Sequence, residues 1–568
     1  MKMTIGNFLF MRLQQVGVEH VFGVPGDFNL QLLEQVKEVD GIEFIGTCNE
    51  LNAAYAADGY ARTKGIGALL TTYGVGDLSA VCGIAGSLAE HVPVVFISGV
   101  PPLYAMESRL RVHHSLAEGN FDNVMNCLKE FTVVNTRLTP NNAVEEIDCA
   151  LHRCWKQKKP AYIQVPSNIS YLMVDVPETK LKLELPASDP ERLESSAKHI
   201  ANLLNRTQRP ALLVDIEVDR SGIAKGLSLL VNKKKIPYAA LPTGKALLSE
   251  VHPLSLGVYM GEATTPSVKD VIKASDCLIV TEPCFIEGSP MVFPGGLPIR
   301  AHIYIRGYSV TVEKEVYEGV NAGDLINRLI DLVEASPATS IQSTSPADVF
   351  APRPGAVLTQ IYLWSRMGRF IRSGDIVLAD NGTSNIALRD VQLPEDTRYI
   401  SQLIWGAIGY SLPALLGSMM AAPDRRHILF IGDGSLQMTA QELSTILNLG
   451  LRPVIFLLNN RGYTIERFIL GMYEVYNDIA DWKYSALPQV FAPDVKAFTA
   501  IVKTEDDLEK VLAEVENSDC ACFIELRLDP EDAPEALKTF GPLTAELDYG
   551  PRGPQHVFDK PRVSTKSD

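Results

Sequence analysis

The chain has 568 residues, 46% of them hydrophobic and 21% charged, and a net charge of −16 from 52 basic and 68 acidic side chains. That length exceeds what one hydrophobic core supports and implies two to four domains. The acidic balance disfavours nucleic acid and anionic membrane as partners, and no uncharged apolar run approaches the roughly 20 residues of a membrane span.

The nine cysteines are scattered, with no CxxC pair, and Cys520 and Cys522 stand too close together for a zinc knuckle. They read as reduced, buried thiols. The apolar stretch at the N-terminus is too short and too interrupted for a secretory signal, so a cytoplasmic location is expected.

Short apolar runs then alternate with helix-spaced segments. Strands are expected in HVFGVPG, IEFIG, GALLTTYG, PVVFISG, FTVVN and AYIQVP, with helices in IGNFLFMRLQQVG, ELNAAYAADGYARTKG, LSAVCGIAGSLAEH and NAVEEIDCALHRCW. The alternation points to parallel βαβ units with both sheet faces covered. A polar linker is expected near 177–195. A second block runs from RPALLVD at Arg209 through IPYAALPTGK, DCLIVTE and IRAHIYIR to about Glu334. A stretch rich in Ser, Thr, Pro and Ala (335–355) separates it from a third block: DIVLAD, AIGYSLPALLGSMM, HILFIGDG, AQELSTILNLG, PVIFLLNN and CFIELRL. The expected fold class is α/β, with three consecutive doubly wound parallel-sheet domains at 1–180, 195–335 and 352–540. A tail at 541–568 is expected to be an arm or disordered.

The run HILFIG ends on a carboxylate, Asp433, between Gly432 and Gly434. A glycine on each side lets the backbone turn sharply and a ligand approach closely. Ligands of open parallel sheets sit at the carboxyl ends of strands. By itself, Gly-Asp-Gly is most often a plain turn with the aspartate capping a helix. The run PVIFLLNN, however, ends on Asn459 and Asn460, and Asn460 stands 27 positions after Asp433. That leaves room for one turn, one helix and the next strand, and puts both residues at one sheet edge. An aspartate, an amide oxygen, a backbone carbonyl and two diphosphate oxygens make an oxygen-only shell suited to Mg²⁺. Gly432-Asp433-Gly434-Ser435 would hold the diphosphate.

This Gly-Asp-Gly, followed at this distance by Asn-Asn, resembles the thiamin diphosphate motif. Further signals narrow the likeness: Asp27 in VPGDFN, Glu50 in CNELNAAYAADGYAR, the His113–His114 pair in RVHHSLAEG and Glu466 in NNRGYTIERFI. Together they resemble the pyruvate and indolepyruvate decarboxylase branch of thiamin diphosphate enzymes, over roughly residues 3–540.

The resemblance implies non-oxidative decarboxylation of a 2-keto acid with thiamin diphosphate and Mg²⁺. Glu50 would act on the aminopyrimidine, as a carboxyl desolvated by its alanine-rich helix. Asp27, His113, His114 and Glu466 would relay the proton that completes the aldehyde. The cofactor would meet Val24, Pro25, Thr72, Thr383, Gly406, Ile408, Gly432, Gly434, Ser435 and Tyr463. Asp433, Asn460 and Gly462 would hold the metal.

Asn381, Asn385, Ile465 and Ile469 would shape the substrate pocket. The position matching Asn385 tends to be a bulky aromatic in pyruvate-specific members. An asparagine there suggests a broad enzyme, or one favouring branched or aromatic 2-keto acids, with pyruvate as the alternative substrate. No cysteine follows RPALLVDIEVD, so nothing supports a thiol-based activation site in that stretch. The resemblance also implies a homodimer with shared active sites, assembling to a homotetramer, with a structural middle domain. A carboligase of the acetolactate synthase type and a cofactor-free scaffold are the rival readings. The first predicts a flavin site in the middle block and neither Asp27 nor the histidine pair, so the sequence argues against it.

Overall fold

The computed structural model describes residues 1–261, 264–281, 302–337 and 351–550. Most of the expected linker at 335–355, the start of IRAHIYIR and residues 551–568 of the expected tail lie outside the described residues.

Two six-stranded sheets are parallel throughout. The first runs Glu43–Gly46, His20–Gly23, Gly67–Thr72, Val94–Val100, Ala161–Pro166, Val134–Arg137. The last runs Arg398–Ile400, Ile376–Ala379, His427–Gly432, Val454–Asn459, Ala521–Arg527, Ala497–Val502. Their inner strands are buried along their length, as continuous apolar runs covered by helices on both faces must be. Among the described residues the middle sheet has seven strands. Five are parallel, and the chain then turns back on itself so that Ser309–Val312 and Glu315–Glu318 close one edge antiparallel.

Two boundaries differ from expectation. A helix begins at Pro190, inside the expected linker, because Asp189 accepts from the Glu191 and Arg192 N–H groups and proline suits the first helical turn. The chain beyond Gly541 is helical as far as Tyr549: the helix Glu535–Tyr549 runs through Pro542 and packs Leu537 and Phe540 against Ile386, Ile465 and Phe468. The burial available to this apolar stripe outweighs the local proline and charge signals.

The first and last sheets are joined through their helices. Helix Glu50–Lys64 packs against helix Ser411–Ala421, and both contribute to one hydrophobic core shared by the two domains. The approach is close enough that a Cβ on Gly417 would lie 1.8 Å from the Ala56 carbonyl oxygen. Glu50 opens the first of these helices, and the loop carrying Gly406 and Ile408 leads into the second. Buried polar bonds reinforce the contact: the Tyr410 hydroxyl and Arg62 Nε both donate to Asp58 Oδ1.

Candidate active site

Strand His427–Gly432 stops at Gly432, and Asp433 opens the helix Asp433–Thr439. The Asp433 carboxylate is 1% exposed. Its Oδ1 accepts from the Gly434 N–H at 2.8 Å and its Oδ2 from the Gly462 N–H at 3.2 Å. Burial pushes this carboxyl up to about 7, against the backbone N–H groups of Gly434, Arg461 and Gly462, which favour the anion. At the next strand end, Asn460 is buried and its Oδ1 has no hydrogen-bond partner among the described residues. Asn459 does different work: its amide donates to Glu525 at 2.7 Å and to Asp481 at 3.2 Å, tying the sheet edge together.

Asp433 and Asn460 open onto a cavity of about 340 Å³. Thr383, Gly406, Ile408, Gly432, Gly434, Ser435, Gly462 and Tyr463 line it, as do Asn381, Asn385, Ile465 and Glu466. Asn385 Nδ2 donates to Asn381 Oδ1 at 2.6 Å, and Asn385 Oδ1 accepts from the Gly382 N–H at 3.3 Å. The two asparagines therefore brace each other. Ile386, Ile465 and Phe540 supply an apolar wall. Partial burial raises the Glu466 carboxyl above its ordinary value, with the Asp548 carboxylate of the C-terminal helix adding to the effect.

Ile469 is buried at the end of helix Thr464–Ile469 and is not among the residues that line the cavity.

The remaining residues gather at the corresponding edge of the first sheet. Asp27 Oδ2 lies 2.7 Å from His113 Nε2, and Asp27 Oδ1 lies 3.8 Å from His114 Nε2. Phe28 stacks on the His113 ring, with centroids 5.0 Å apart. All three polar residues are exposed. Val24 and Pro25 follow strand His20–Gly23, and Thr72 ends strand Gly67–Thr72 with its hydroxyl buried and unpartnered among the described residues. Glu50 opens its helix beside Asn49, whose side chain caps it through the Asn52 N–H at 2.8 Å. Glu50 is only half-buried, so the desolvation expected from its alanine neighbours is incomplete within one chain. Asp27, Glu50, His113 and His114 do not line the Asp433 cavity.

Several contributors were missed from sequence. Asp380 is buried at a strand end and accepts from the N–H groups of Gly409 and Ser411, anchoring the loop that carries Gly406 and Ile408. Its place at the end of DIVLAD is the same signal that marks Asp433. Glu442 accepts from the Cys48 N–H and from Asn52 Nδ2, holding the chain on either side of Glu50. Lys245, Met260, Arg389, Phe540 and Thr544 also line the cavity, and no local pattern marks them.

Three family descriptions match along the chain. Residues 3–124 match the thiamine pyrophosphate enzyme N-terminal TPP binding domain, 197–281 its central domain and 380–526 its C-terminal TPP binding domain. A putative pyruvate decarboxylase of Schizosaccharomyces pombe is 35% identical over 562 residues, covering 96% of this chain and 98% of the relative. Pyruvate decarboxylase isozyme 3 of Saccharomyces cerevisiae is 35% identical over 96% of this chain and 99% of its own length. An alpha-keto-acid decarboxylase of Mycolicibacterium paratuberculosis is 37% identical over 94% of this chain and 95% of its own. This chain belongs to the thiamin-diphosphate-dependent 2-keto acid decarboxylases.

As a member of that family it is a decarboxylase, and its residues fit the cofactor. Gly382 and Gly432 leave open backbone at the cavity wall, where an added Cβ on Gly382 would meet nothing within 4 Å and one on Gly432 only Ser435 Oγ at 3.9 Å. The unpartnered Asn460 oxygen beside a dry carboxylate fits an oxygen-seeking divalent cation better than it fits a closed protein core. No helix among the described residues is long and apolar enough to cross a membrane.

Proposed function

We propose that the protein converts a 2-keto acid to the aldehyde and CO₂ with thiamin diphosphate and Mg²⁺, and that it favours side chains larger than that of pyruvate. The observation that carries this reading is the buried pair of Asp433 and Asn460, one carboxylate and one unpartnered amide oxygen at one sheet edge, in a cavity that also holds Glu466. Bound thiamin diphosphate supplies the electron sink that lets the carbon–carbon bond break.

The chain's own groups do the rest. Asp433 and Asn460 hold the cation, with the Gly462 carbonyl as third protein ligand. Ser435 and the N–H groups around Gly434 orient the diphosphate. Glu50 would face a ring nitrogen of the bound aminopyrimidine. The apolar wall keeps water from the departing carboxylate. The Asp27–His113 pair, with His114 and Glu466, moves the proton that completes the aldehyde. The separation of Asp27, Glu50 and the histidines from the Asp433 cavity supports a site assembled from two chains, hence a homodimer and, by pairing of dimers, a homotetramer.

Asparagine rather than an aromatic at position 385 supports branched or aromatic 2-keto acids, such as 2-ketoisovalerate, phenylpyruvate and indolepyruvate, over pyruvate. The eight free cysteines among the described residues support the cytoplasm as its compartment.

Aldehyde and CO₂ should be measured from purified protein with those four acids, with and without Mg²⁺ and thiamin diphosphate. Aldehyde formation is expected to require both cofactors and to be fastest with a larger acid. Fastest turnover of pyruvate would sink the substrate assignment, and acetolactate without free aldehyde would sink the reaction.

A further inference from the structure

One end of the cavity carries a cation that the decarboxylation reading does not use. Arg389 follows directly on helix Thr383–Leu388, which starts beside Asn381, whose carbonyl accepts from Ser435 Oγ. Six residues at 1.5 Å each put it about 9 Å further along that axis. It lines the same cavity as Asp433 and Glu466, beside Pro242, Thr243 and Met260 of the middle domain.

The residue is 9% exposed, yet its guanidinium makes no hydrogen bond among the described residues. Among the described residues the carboxylate nearest to it is Asp390, whose Oδ1 stands 3.9 Å from Arg389 Nε and whose side chain is 65% exposed. An ion pair that long and that wet contributes little. Burial lowers the guanidinium pKa, the direction expected where solvation is lost without compensation.

The neighbouring cation is the opposite case. Lys245 Nζ bonds both oxygens of Glu250 at 2.9 and 3.0 Å and the Val391 carbonyl at 2.9 Å. It is neutralised and satisfied. Of these two buried cations, Arg389 is the one with donors to spare among the described residues, in a planar fork that matches a carboxylate. The diphosphate is not the natural partner, since its anchors lie at the far end of the helix.

We propose that Arg389 is a specificity residue that receives a second, distal carboxylate, so that among larger 2-keto acids the cavity prefers 2-keto dicarboxylic acids. This rests on the decarboxylase reading of the same cavity and refines its substrate class. The reacting carboxylate leaves as CO₂, and the distal one stays on the aldehyde product, held away from the reacting carbon.

The test compares the holoenzyme, loaded with Mg²⁺ and thiamin diphosphate, on 2-ketoadipate and 2-ketohexanoate, which share a chain length and differ in the terminal carboxylate. Wild type is expected to favour the diacid in kcat/KM by at least about tenfold. Arg389→Met should lower that ratio by at least about tenfold, with Arg389→Lys between, as for loss of a charge-assisted contact. A wild-type preference for the monoacid, or a ratio unchanged in Arg389→Met, overturns the inference and leaves water as the guanidinium's partner. Weakened thiamin diphosphate binding at an unchanged ratio also overturns it, by assigning Arg389 to the cofactor. Should Arg389→Met not fold, competitive inhibition of wild type by adipate and by hexanoate decides, and equal inhibition refutes the proposal. Turnover of the monoacid alone defeats only this inference, whereas turnover of no 2-keto acid defeats the decarboxylase reading with it.

Discussion

The first and last sheets have the same strand order. Numbered by position in its own domain, each runs second, first, third, fourth, sixth, fifth. Their functional edges are nonetheless opposites. The first presents Asp27, His113 and His114 to solvent, with Asp27 already bonded to His113. The last buries Asp433 and leaves Asn460 without a partner. One topology thus carries two environments, an exposed hydrogen-bonded cluster and a dry, partly unpartnered one. The backbone alone would not tell them apart, and the residues at the strand ends do.

The strongest way to break this comparison is to remove one residue from each edge. Asp433→Ala should abolish both activity and the stabilisation by Mg²⁺ with thiamin diphosphate, which for wild type at a hundred times Kd amounts to about 2.7 kcal/mol. Glu50→Gln should keep that stabilisation and lower kcat by roughly 10²–10⁴-fold, the usual range for a lost acid or base. Thermal shift and turnover on the same preparations separate the two. A thermal shift that survives in Asp433→Ala would mean that the buried edge does not hold the cation.

Mixing these two inactive variants tests whether the edges meet across chains. If each site takes Glu50 from one subunit and Asp433 from the other, a mixed dimer has one intact site and one doubly damaged site. Random reassociation in an isologous dimer then restores about a quarter of wild-type activity. If both residues serve a site within one chain, no combination is active. No recovery in dimers shown by mass spectrometry to be mixed would contradict the shared site.

The place of Asp433 was legible in the sequence because its signal is local: a carboxylate between glycines at a strand end, at fixed spacing from a second polar strand end. The helix Glu50–Lys64 was equally plain from its Asn49 cap and alanine-rich spacing. What sequence did not show is whatever depends on distant segments folding back. Arg389, Lys245 and Met260 reach one cavity from two domains, and no periodicity marks such a meeting. The C-terminal helix was obscured by Pro542, and its apolar stripe gains meaning only once Ile386 and Phe468 are known to face it.

Acid titration sharpens the contrast on the stability side. His427 begins the strand that leads to Asp433 and is 1% exposed, with Nδ1 at 2.9 Å from the Arg425 carbonyl and Nε2 at 3.1 Å from Ser418 Oγ. Burial lowers its pKa from 6.5 to about 4. The folded state therefore keeps it neutral where the unfolded chain binds a proton, so its contribution is complete above pH 6.5 and is lost as pH falls towards 4. The interval of about 2.5 pK units corresponds to about 3 kcal/mol. His91, in the first domain, is also held near 4 by burial, but it is partly exposed and should contribute less. Urea midpoints between pH 6.5 and 4 should fall less steeply in His427→Gln than in wild type, with His91→Gln in between. Equal slopes for all three would show that neither histidine governs acid sensitivity.

The smallest expected effect concerns the contact that joins the two domains. Gly417 and Gly59 sit where helices Ser411–Ala421 and Glu50–Lys64 touch, and a Cβ on either would lie about 2 Å from a backbone oxygen of the other helix, at 1.8 Å and 2.2 Å respectively. Backbone cannot rotate away as a side chain can, so Gly417→Ala must push the helices apart. Overpacking of this kind costs about 1–3 kcal/mol, offset by up to about 1 kcal/mol from the better helix propensity of alanine. The displaced helix is the one that Glu50 opens, whereas Asp433 is held by its own strand and by Gly434 and Gly462. Gly417→Ala should therefore lower the melting temperature slightly and reduce kcat, with the affinity for Mg²⁺ and thiamin diphosphate unchanged. A variant that loses cofactor affinity in step with kcat would mean that the helix contact supports both edges equally, and that the two are not mechanically separate.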